Sequence, residues 1–460
     1  MRIIAAIALL AGAVSAHAIG LGPVGQGQVL VFPYYNAGDT LDTLIVVHNE
    51  TSRPKALKVI VREADQARAV LSFNLYLAPH DQWSVALSSL NGELERAAIV
   101  TDDMTCTVPS IFDQRSTTLP SGLPAVFLSP LLLDDHPEAI DRLREGMVEI
   151  VEMGEVVGDA GELVAAQDCR ALVNAWVQGF WRDDPATGMA PPGGGLSGKA
   201  WLINVLGGDS YSYAAEAFTE FSSIQQHADP SATEPGLANA TSDRDDGRIE
   251  AAVTTQQGAR TALWDSPFDA VGALLARASH QTAVTRSPEL NGATEVIVAN
   301  LGRLLDETTT SEVALVTWDD TGAPGLDCDR DPLISPPPPL IDRLVVVDRA
   351  VQTLQLADSG ILAARNAIDV SERMPDRGRL ALVAGPGGAA DCPLENAILV
   401  GGPVDGGGPV RLTDAPLVVL SLERVTNGTI SLPGSGTVLS NYGVLSRATT
   451  NLSPADVLTQ

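Results

Sequence analysis

Gly208-Asp209-Ser210-Tyr211-Ser212 places a serine directly after the apolar run Ala200 to Leu206 (AWLINVL). A serine at a strand exit becomes a nucleophile only when a neighbouring base takes its proton. His227 and His280 are the histidines a fold could bring to it, so Ser210 is the one candidate catalytic residue. Oxygen-rich loops suggest a second chemistry. Asp319, Asp320, Asp327, Asp329 and Asp331 crowd one stretch, and calcium takes several carboxylate and carbonyl oxygens. Asp243, Asp245, Asp246 and Gly247 crowd another, but there the EF-hand spacing fails, with Ser242, Arg244 and Val253 on ligand positions. Calcium is therefore a candidate only at the first loop. Neither His-Glu-x-x-His nor His-x-His occurs, so zinc has no visible site.

Two glycine-rich stretches imitate nucleotide sites. Gly193 to Ala200 (GGGLSGKA) falls one residue short of a phosphate-binding loop, and Ala200 stands where a metal-holding hydroxyl belongs. Gly20 to Gly25 (GLGPVG) fits the dinucleotide spacing, yet a leader-like segment precedes it and a strand follows. Both read as linker or terminus. The adjacent pairs Asp102-Asp103, Asp134-Asp135 and Asp183-Asp184 carry little information, because neighbours on a strand point to opposite faces. Glu149 and Glu152, near an expected strand, have the same standing. The tryptophans, 83, 176, 181, 201, 264 and 318, are scattered and read as core.

The opening of the chain reads as an export signal. Arg2 gives the positive end, Ile3 to Val14 is too short to span a bilayer, and Ala16-His17-Ala18 offers small residues around a cut after residue 18. No later stretch is long and apolar enough for a membrane span. The whole chain carries 57 acidic against 29 basic residues, a formal charge of −28, which makes nucleic acid and anionic membrane poor partners. Cys106, Cys169, Cys328 and Cys392 in an exported chain are expected to pair. Four cysteines allow three connectivities. Cys106 with Cys169 and Cys328 with Cys392 is favoured, because each bridge then closes a loop within one half.

The elements that position these residues are short strands. QVLVFPYY, TLIVVHN, ALKVIVRE, VLSFNLYL and QWSVALSS run from Gln28 to Ser89, separated by turn residues. In Ala56 to Glu63, Leu57, Val59 and Val61 share one face, and Lys58, Ile60 and Arg62 the other. Helices are expected at Pro137 to Glu145, at Gly161 to Val177, and after Ser266-Pro267, where Phe268, Val271, Leu274, Leu275 and Ala278 form a stripe. Ala190 to Gly198, Gln225 to Arg248 and Pro332 to Pro339 read as loops or linkers. The expected fold is mainly β: antiparallel, immunoglobulin-like sandwich domains over 19–250 and 251–460 with a few helical insertions. Thr43 to Glu63 and Thr294 to Asp319 echo one another as strand, Asn, polar loop, strand and acidic end, hinting at two similar units.

Over residues 27–106, GQVLVFPYYNAGDTLDTLIVVHNETSRPKALKVIVREA followed by FNLYLAPHDQW resembles a family of secreted Gram-negative bacterial proteins without an assigned function. That resemblance implies export and a β-rich fold and transfers no catalytic residue. Gly208 to Ser212 resembles the nucleophile block of GDSL-type esterases. The family's downstream Asp-x-x-His is missing, since none of the six histidines has Asp three residues before it, and no Asn-Asp occurs. The expected function is thus a non-enzymatic structural, adhesive or binding role at the cell surface or in the extracellular matrix, with self-assembly or a surface partner. A serine hydrolase using Ser210, or a calcium-stabilised binder, is the alternative.

Overall fold

In the computed structural model, residues 18–22, 25–38, 41–90, 96–111, 117–118, 124–129, 139–256, 258–285, 292–319, 344–347, 349–356, 367–370, 377–384, 398–404, 409–413, 415–432, 436–452 and 456–457 are described. Among the described residues strands make up 54% and helices 13%, and the named strands pair antiparallel except Val351–Gln355 with Ala367–Asp369. Cys328, Cys392, Asp320, Asp327, Asp329, Asp331, the four-proline stretch and residues 1–17 of the expected export signal lie outside the described residues.

The first half is built on β1 (Val29–Asn36), β2 (Asp42–Asn49), β3 (Lys55–Glu63), β4 (Ala69–Leu77), β5 (Gln82–Leu90), β6 (Glu145–Val156), β7 (Leu196–Asn204), β8 (Asp209–Ala214) and β9 (Glu216–Thr219). One sheet runs β9-β1-β6-β3-β4 and a second runs β5-β2-β7-β8, with short strands added at their ends. Val29–Asn36 is a continuous apolar run and is buried along its whole length. Its Pro33 has no N–H to give. The register against β6 accordingly shifts there, from Phe32 opposite Val148 to Tyr35 opposite Gly146. Leu57, Val59 and Val61 of β3 join Ile45 and Val47 of β2 and Val85 of β5 in one apolar cluster between the two sheets.

The second half repeats this plan. Its strands are β10 (Ser279–Thr285), β11 (Gly292–Asn300), β12 (Ser311–Asp319), β13 (Leu344–Val347), β14 (Val351–Gln355), β15 (Arg377–Val383), β16 (Leu417–Leu432), β17 (Gly436–Arg447) and β18 (Thr449–Asn451). The sheets run β18-β10-β15-β12-β13 and β14-β11-β16-β17, which is the first half's order strand for strand.

The echo heard in the sequence is therefore a structural equivalence. Both Thr43 to Glu63 and Thr294 to Asp319 cross from one sheet to the other, and a buried asparagine pins each crossing. Asn49 sits opposite Leu196, the first residue of β7, and Asn300 opposite Leu417, the first of β16. The Asn49 Nδ2 donates to the carbonyls of Arg53 (2.8 Å) and Ala78 (2.9 Å); the Asn300 Nδ2 donates to those of Thr309 (3.3 Å) and Val347 (3.2 Å). Each Oδ1 accepts the backbone N–H two residues on, at 3.1 Å.

The halves share contacts throughout. Strands β8 and β17, equivalent in the two units, lie against each other, and Gly443 gives the close approach. A Cβ there would stand 2.6 Å from the Tyr211 ring. Ala350 N–H donates to Asp65 O at 2.9 Å, Arg349 pairs with Asp65 at 2.7 Å, and Arg447 pairs with Glu216 at 2.8 Å. A further five-stranded sheet begins with Ile249–Thr255, which contains residue 250, and packs on the helix Pro267–Leu275. That helix starts where expected: Ser266 Oγ accepts the Asp269 N–H at 3.1 Å and Pro267 fills the first turn.

Several local expectations need correction. Gly161 to Val177 is two helices, Gly158–Ala165 and Cys169–Val177, broken where Gln167 takes a left-handed φ of 52°. Among the described residues the helix near Pro137 covers Ala139–Arg142, and Glu145 already belongs to β6. Gly20–Leu21 is not a loose terminus, because it pairs with Phe218 and Thr219 while Ile19 bridges to Ala251. Among the described residues, no helix is long and apolar enough to cross a membrane.

Candidate functional site

The face of β3 that carries Lys58, Ile60 and Arg62 is covered, with Lys58 and Ile60 buried and Arg62 partly so. Gln225 to Arg248, read as a linker from its uneven composition, begins with a strap laid across β3, β4 and β6. Side chains of the sheet hold its backbone. Lys58 Nζ donates to Asp229 O (2.8 Å), Ser72 Oγ to Ala232 O (2.6 Å) and Asn74 Nδ2 to Ala228 O (2.9 Å). In return, the Leu237 N–H donates to Glu149 Oε2 at 2.6 Å, and the other oxygen of Glu149 takes Arg62 Nε. Burial lowers the Lys58 ammonium to about 8, with Asp229 opposing the shift. Glu63, at the end of β3, accepts Arg142 Nε at 3.1 Å and the backbone N–H groups of Asp65, Gln66 and Arg68.

Glu152 explains the loop that imitates a phosphate site. Its carboxylate takes Lys55 Nζ at 2.7 Å, Gly193 N–H at 3.0 Å and Gly194 N–H at 2.8 Å, and both charged side chains are completely buried. The left-handed φ of 73° at Gly194 lets that amide turn inward. A glycine-rich run does cradle an anion here, but the anion is the protein's own. Lys199, the would-be phosphate lysine, is exposed with its ammonium 5.0 Å from the centroid of the Trp201 ring.

At the far end of the strap His227 closes an aromatic nest that the scattered sequence positions conceal. Trp181 stacks on Tyr76 at 5.2 Å between centroids, and the rings of Trp176 and Trp181 lie 4.9 Å and 4.7 Å from His227. The hydrogen bonds fix the tautomer. Pro185 O can only accept, so His227 Nδ1 carries the proton (2.7 Å), and Nε2 accepts from Tyr76 OH at 2.9 Å. Tyr76 OH in turn accepts Trp176 Nε1–H at 2.7 Å. Burial lowers the His227 imidazolium to about 4 against the weaker opposing bond to Pro185. The helix carrying Trp176 is tied to the sheet by the Cys106–Cys169 disulfide, which has the expected pairing.

The remaining candidates stand apart. Ser210 lies on β8 with its side chain exposed, and no hydrogen bond to its hydroxyl is present among the described residues. His227 is committed to Tyr76 and Pro185, and His280 is buried in β10. Asp209, which precedes Ser210, accepts the Tyr211 hydroxyl at 2.6 Å. Asp319 ends β12, and no metal-holding group of three or more His, Cys, Asp or Glu is present among the described residues. In the second acidic loop Asp246 is bound by Arg244 (2.9 Å) and Arg248 (2.8 Å), which hold its carboxyl well below the usual range.

Two clefts border the junction of the halves. One, of about 400 Å³, is lined by Leu21, Glu216, Leu445 and Arg447 among others; the second, of about 420 Å³, by Arg62, Arg68, Arg303 and Glu307 among others. Sequence reasoning named none of these as a set, because their chain positions share no spacing. Comparison with known proteins found no matching family model, curated protein or solved structure.

Proposed function

We propose that this chain is exported and serves as a non-enzymatic structural, adhesive or binding protein at the cell surface or in the extracellular matrix. Each repeat would be an antiparallel, immunoglobulin-like sandwich, with the facing apolar sides of its two sheets as core. The observation carrying this reading is the repetition of one strand order, with the equivalent strands β8 and β17 set against each other. Tandem β units of this kind give a scaffold that presents loops. Buried ionisable groups of the first sheet and its strap fit the same reading, since Lys55, Glu149, Glu152 and His227 are each spent on internal ties. A disulfide of long span fits export.

The test is purification of the exported protein, followed by size-exclusion chromatography, negative-stain microscopy and binding to producing cells and their matrix. Self-association or retention on the cells is expected. A strict monomer that binds neither refutes the role, and fluorophosphonate labelling lost in Ser210→Ala refutes its non-enzymatic part.

A further inference from the structure

Resting on the self-association in that role, we propose that copies of this chain join head to tail, the outer face of one copy's first repeat covering the open end of the next copy's second repeat. The two hairpins that meet at the junction of the repeats match residue for residue. Leu196 and Leu417 open β7 and β16; Leu202 then lies opposite Tyr211 and Asn204 opposite Asp209, as Glu423 lies opposite Val444 and Val425 opposite Tyr442. Tyr211 thus corresponds to Val444, Asp209 to Tyr442 and Ser210 to Gly443.

Side chains of a strand alternate between faces, and the junction takes opposite faces of these equivalent strands. From β8 it takes the face of Tyr211 and Tyr213; from β17 it takes that of Gly443 and Leu445, the glycine lying against the Tyr211 ring. Leu420 and Leu422 of β16 join the same cluster and are 2% and 0% exposed. Each repeat therefore keeps one face of its hairpin outside the junction. On the second repeat it is the face of Tyr442 and Val444, 60% and 59% exposed where their counterparts Asp209 and Tyr211 are buried. On the first it is the face of Ser210 and Ser212 with Lys199 and Trp201, and these last two are the counterparts of the buried Leu420 and Leu422. What is open in one repeat is covered in the other, so the two open faces are the two sides of one further junction. Because they differ, the contact is heterologous and repeats from copy to copy.

Size and charge suit that contact. Ser210 brings a Cβ where Gly443 has none, and it would meet Val444, which is smaller than the Tyr211 that Gly443 meets. Glu423, opposite Val444, is half-buried, and burial pushes its carboxyl up. No ion pair of Glu423 is present among the described residues, and the exposed ammonium of Lys199, 5.0 Å from the Trp201 ring centroid, stands on the complementary face. The chain carries 57 acidic residues, yet none lies between Glu423 and Asp456. At β17 two copies therefore approach without the repulsion that a net charge of −28 imposes elsewhere.

Analytical ultracentrifugation of the exported protein tests the contact. Wild type is expected to form oligomers whose size grows with concentration. Val444→Asp blocks one side and Lys199→Glu the other, and both replace exposed side chains, so unfolding midpoints should hold. Each should weaken association by about tenfold or more, since one buries an unpaired carboxylate and the other sets a second acid against Glu423. Mixed in equal amounts, the two variants should form a dimer and stop there, because the pair retains one intact face of each kind. A mixture that stays monomeric overturns the head-to-tail contact. Assembly that survives both substitutions also overturns it, and leaves the proposed role standing. A wild type that is monomeric at every concentration removes the contact as well, while its retention on cells or matrix would still support that role.

Discussion

Replacing Lys55 by Met removes the ammonium from Glu152 while keeping most of the stem that packs there. The carboxylate would remain completely buried, with only the Gly193 and Gly194 amides, at 3.0 and 2.8 Å, to replace its solvation. Breaking one side of a buried pair costs about 3–5 kcal/mol. Protonation sets a limit on that cost. Neutralising a carboxyl of ordinary pKa 4.5 near pH 7 takes about 3.4 kcal/mol, at 1.36 kcal/mol per unit. Burial already raises the Glu152 carboxyl and Lys55 opposes that rise, so losing Lys55 raises it further. The sign of the pH effect follows. A folded carboxyl with raised pKa binds more protons than the unfolded one, so the variant loses stability as pH climbs above about 4.5 and recovers it toward acid. Lys55→Met with Glu152→Gln removes both charges and keeps a carbonyl oxygen for the two amides, so it should regain most of the loss. Urea unfolding followed by tryptophan fluorescence, at about pH 7 and pH 5, reads all three proteins. A Lys55→Met deficit under about 1 kcal/mol, or one equal at both pH values, would falsify this account of the pair.

Asn49→Ala and Asn300→Ala should each cost about 1–3 kcal/mol in urea unfolding, since each strands one buried and one part-buried carbonyl; a large cost at one and none at the other would break their equivalence. His227, lowered from 6.5 to about 4, gives stability that is complete above about pH 6.5 and lost as pH falls toward 4, about 3 kcal/mol in all. His227→Asn should flatten that limb of the stability curve, and an unchanged acid limb would remove His227 as its source. Cys106→Ala with Cys169→Ala opens a loop spanning 63 residues and should cost about 4 kcal/mol, read as a lower urea midpoint; an unchanged midpoint would show that the loop is already constrained.

Strand periodicity made β1 to β5 legible within a residue or two, because each alternates or runs apolar between turn-forming residues. The helix at Pro267–Leu275 was legible from its cap and proline, and the Cys106–Cys169 bridge from loop economy. The face of β3 carrying Lys58 and Arg62 was not. Polar residues at period two signal solvent by default, and what covers them is a strap with no period of its own. Residues 225–241 are held mostly through backbone carbonyls and N–H groups, which any sequence supplies, so composition gave no sign of the tie. The nest of Tyr76, Trp176, Trp181 and His227 joins β4, two short helices and the strap. No linear spacing encodes that meeting.

Comparison of the two repeats shows which positions the fold itself requires. Leu57 and Val59 face the first core as Val313 and Leu315 face the second. The pairings Ile150 with Val59 and Leu382 with Leu315 align β6 with β15. On that alignment Lys58 corresponds to Ala314, Glu149 to Ala381 and Glu152 to Ala384, while Lys55 corresponds to Ser311 and Arg62 to Trp318. The apolar positions are kept and none of these five charged residues has a charged counterpart, although Glu63 at the strand end corresponds to Asp319. Electrostatics requires that they go together, because a lone buried carboxylate or ammonium left by a single change costs more than the pair it came from. Lys58, Glu149 and Arg62, which hold the strap, are thus a feature of the first repeat that the aligned positions of the second do not carry.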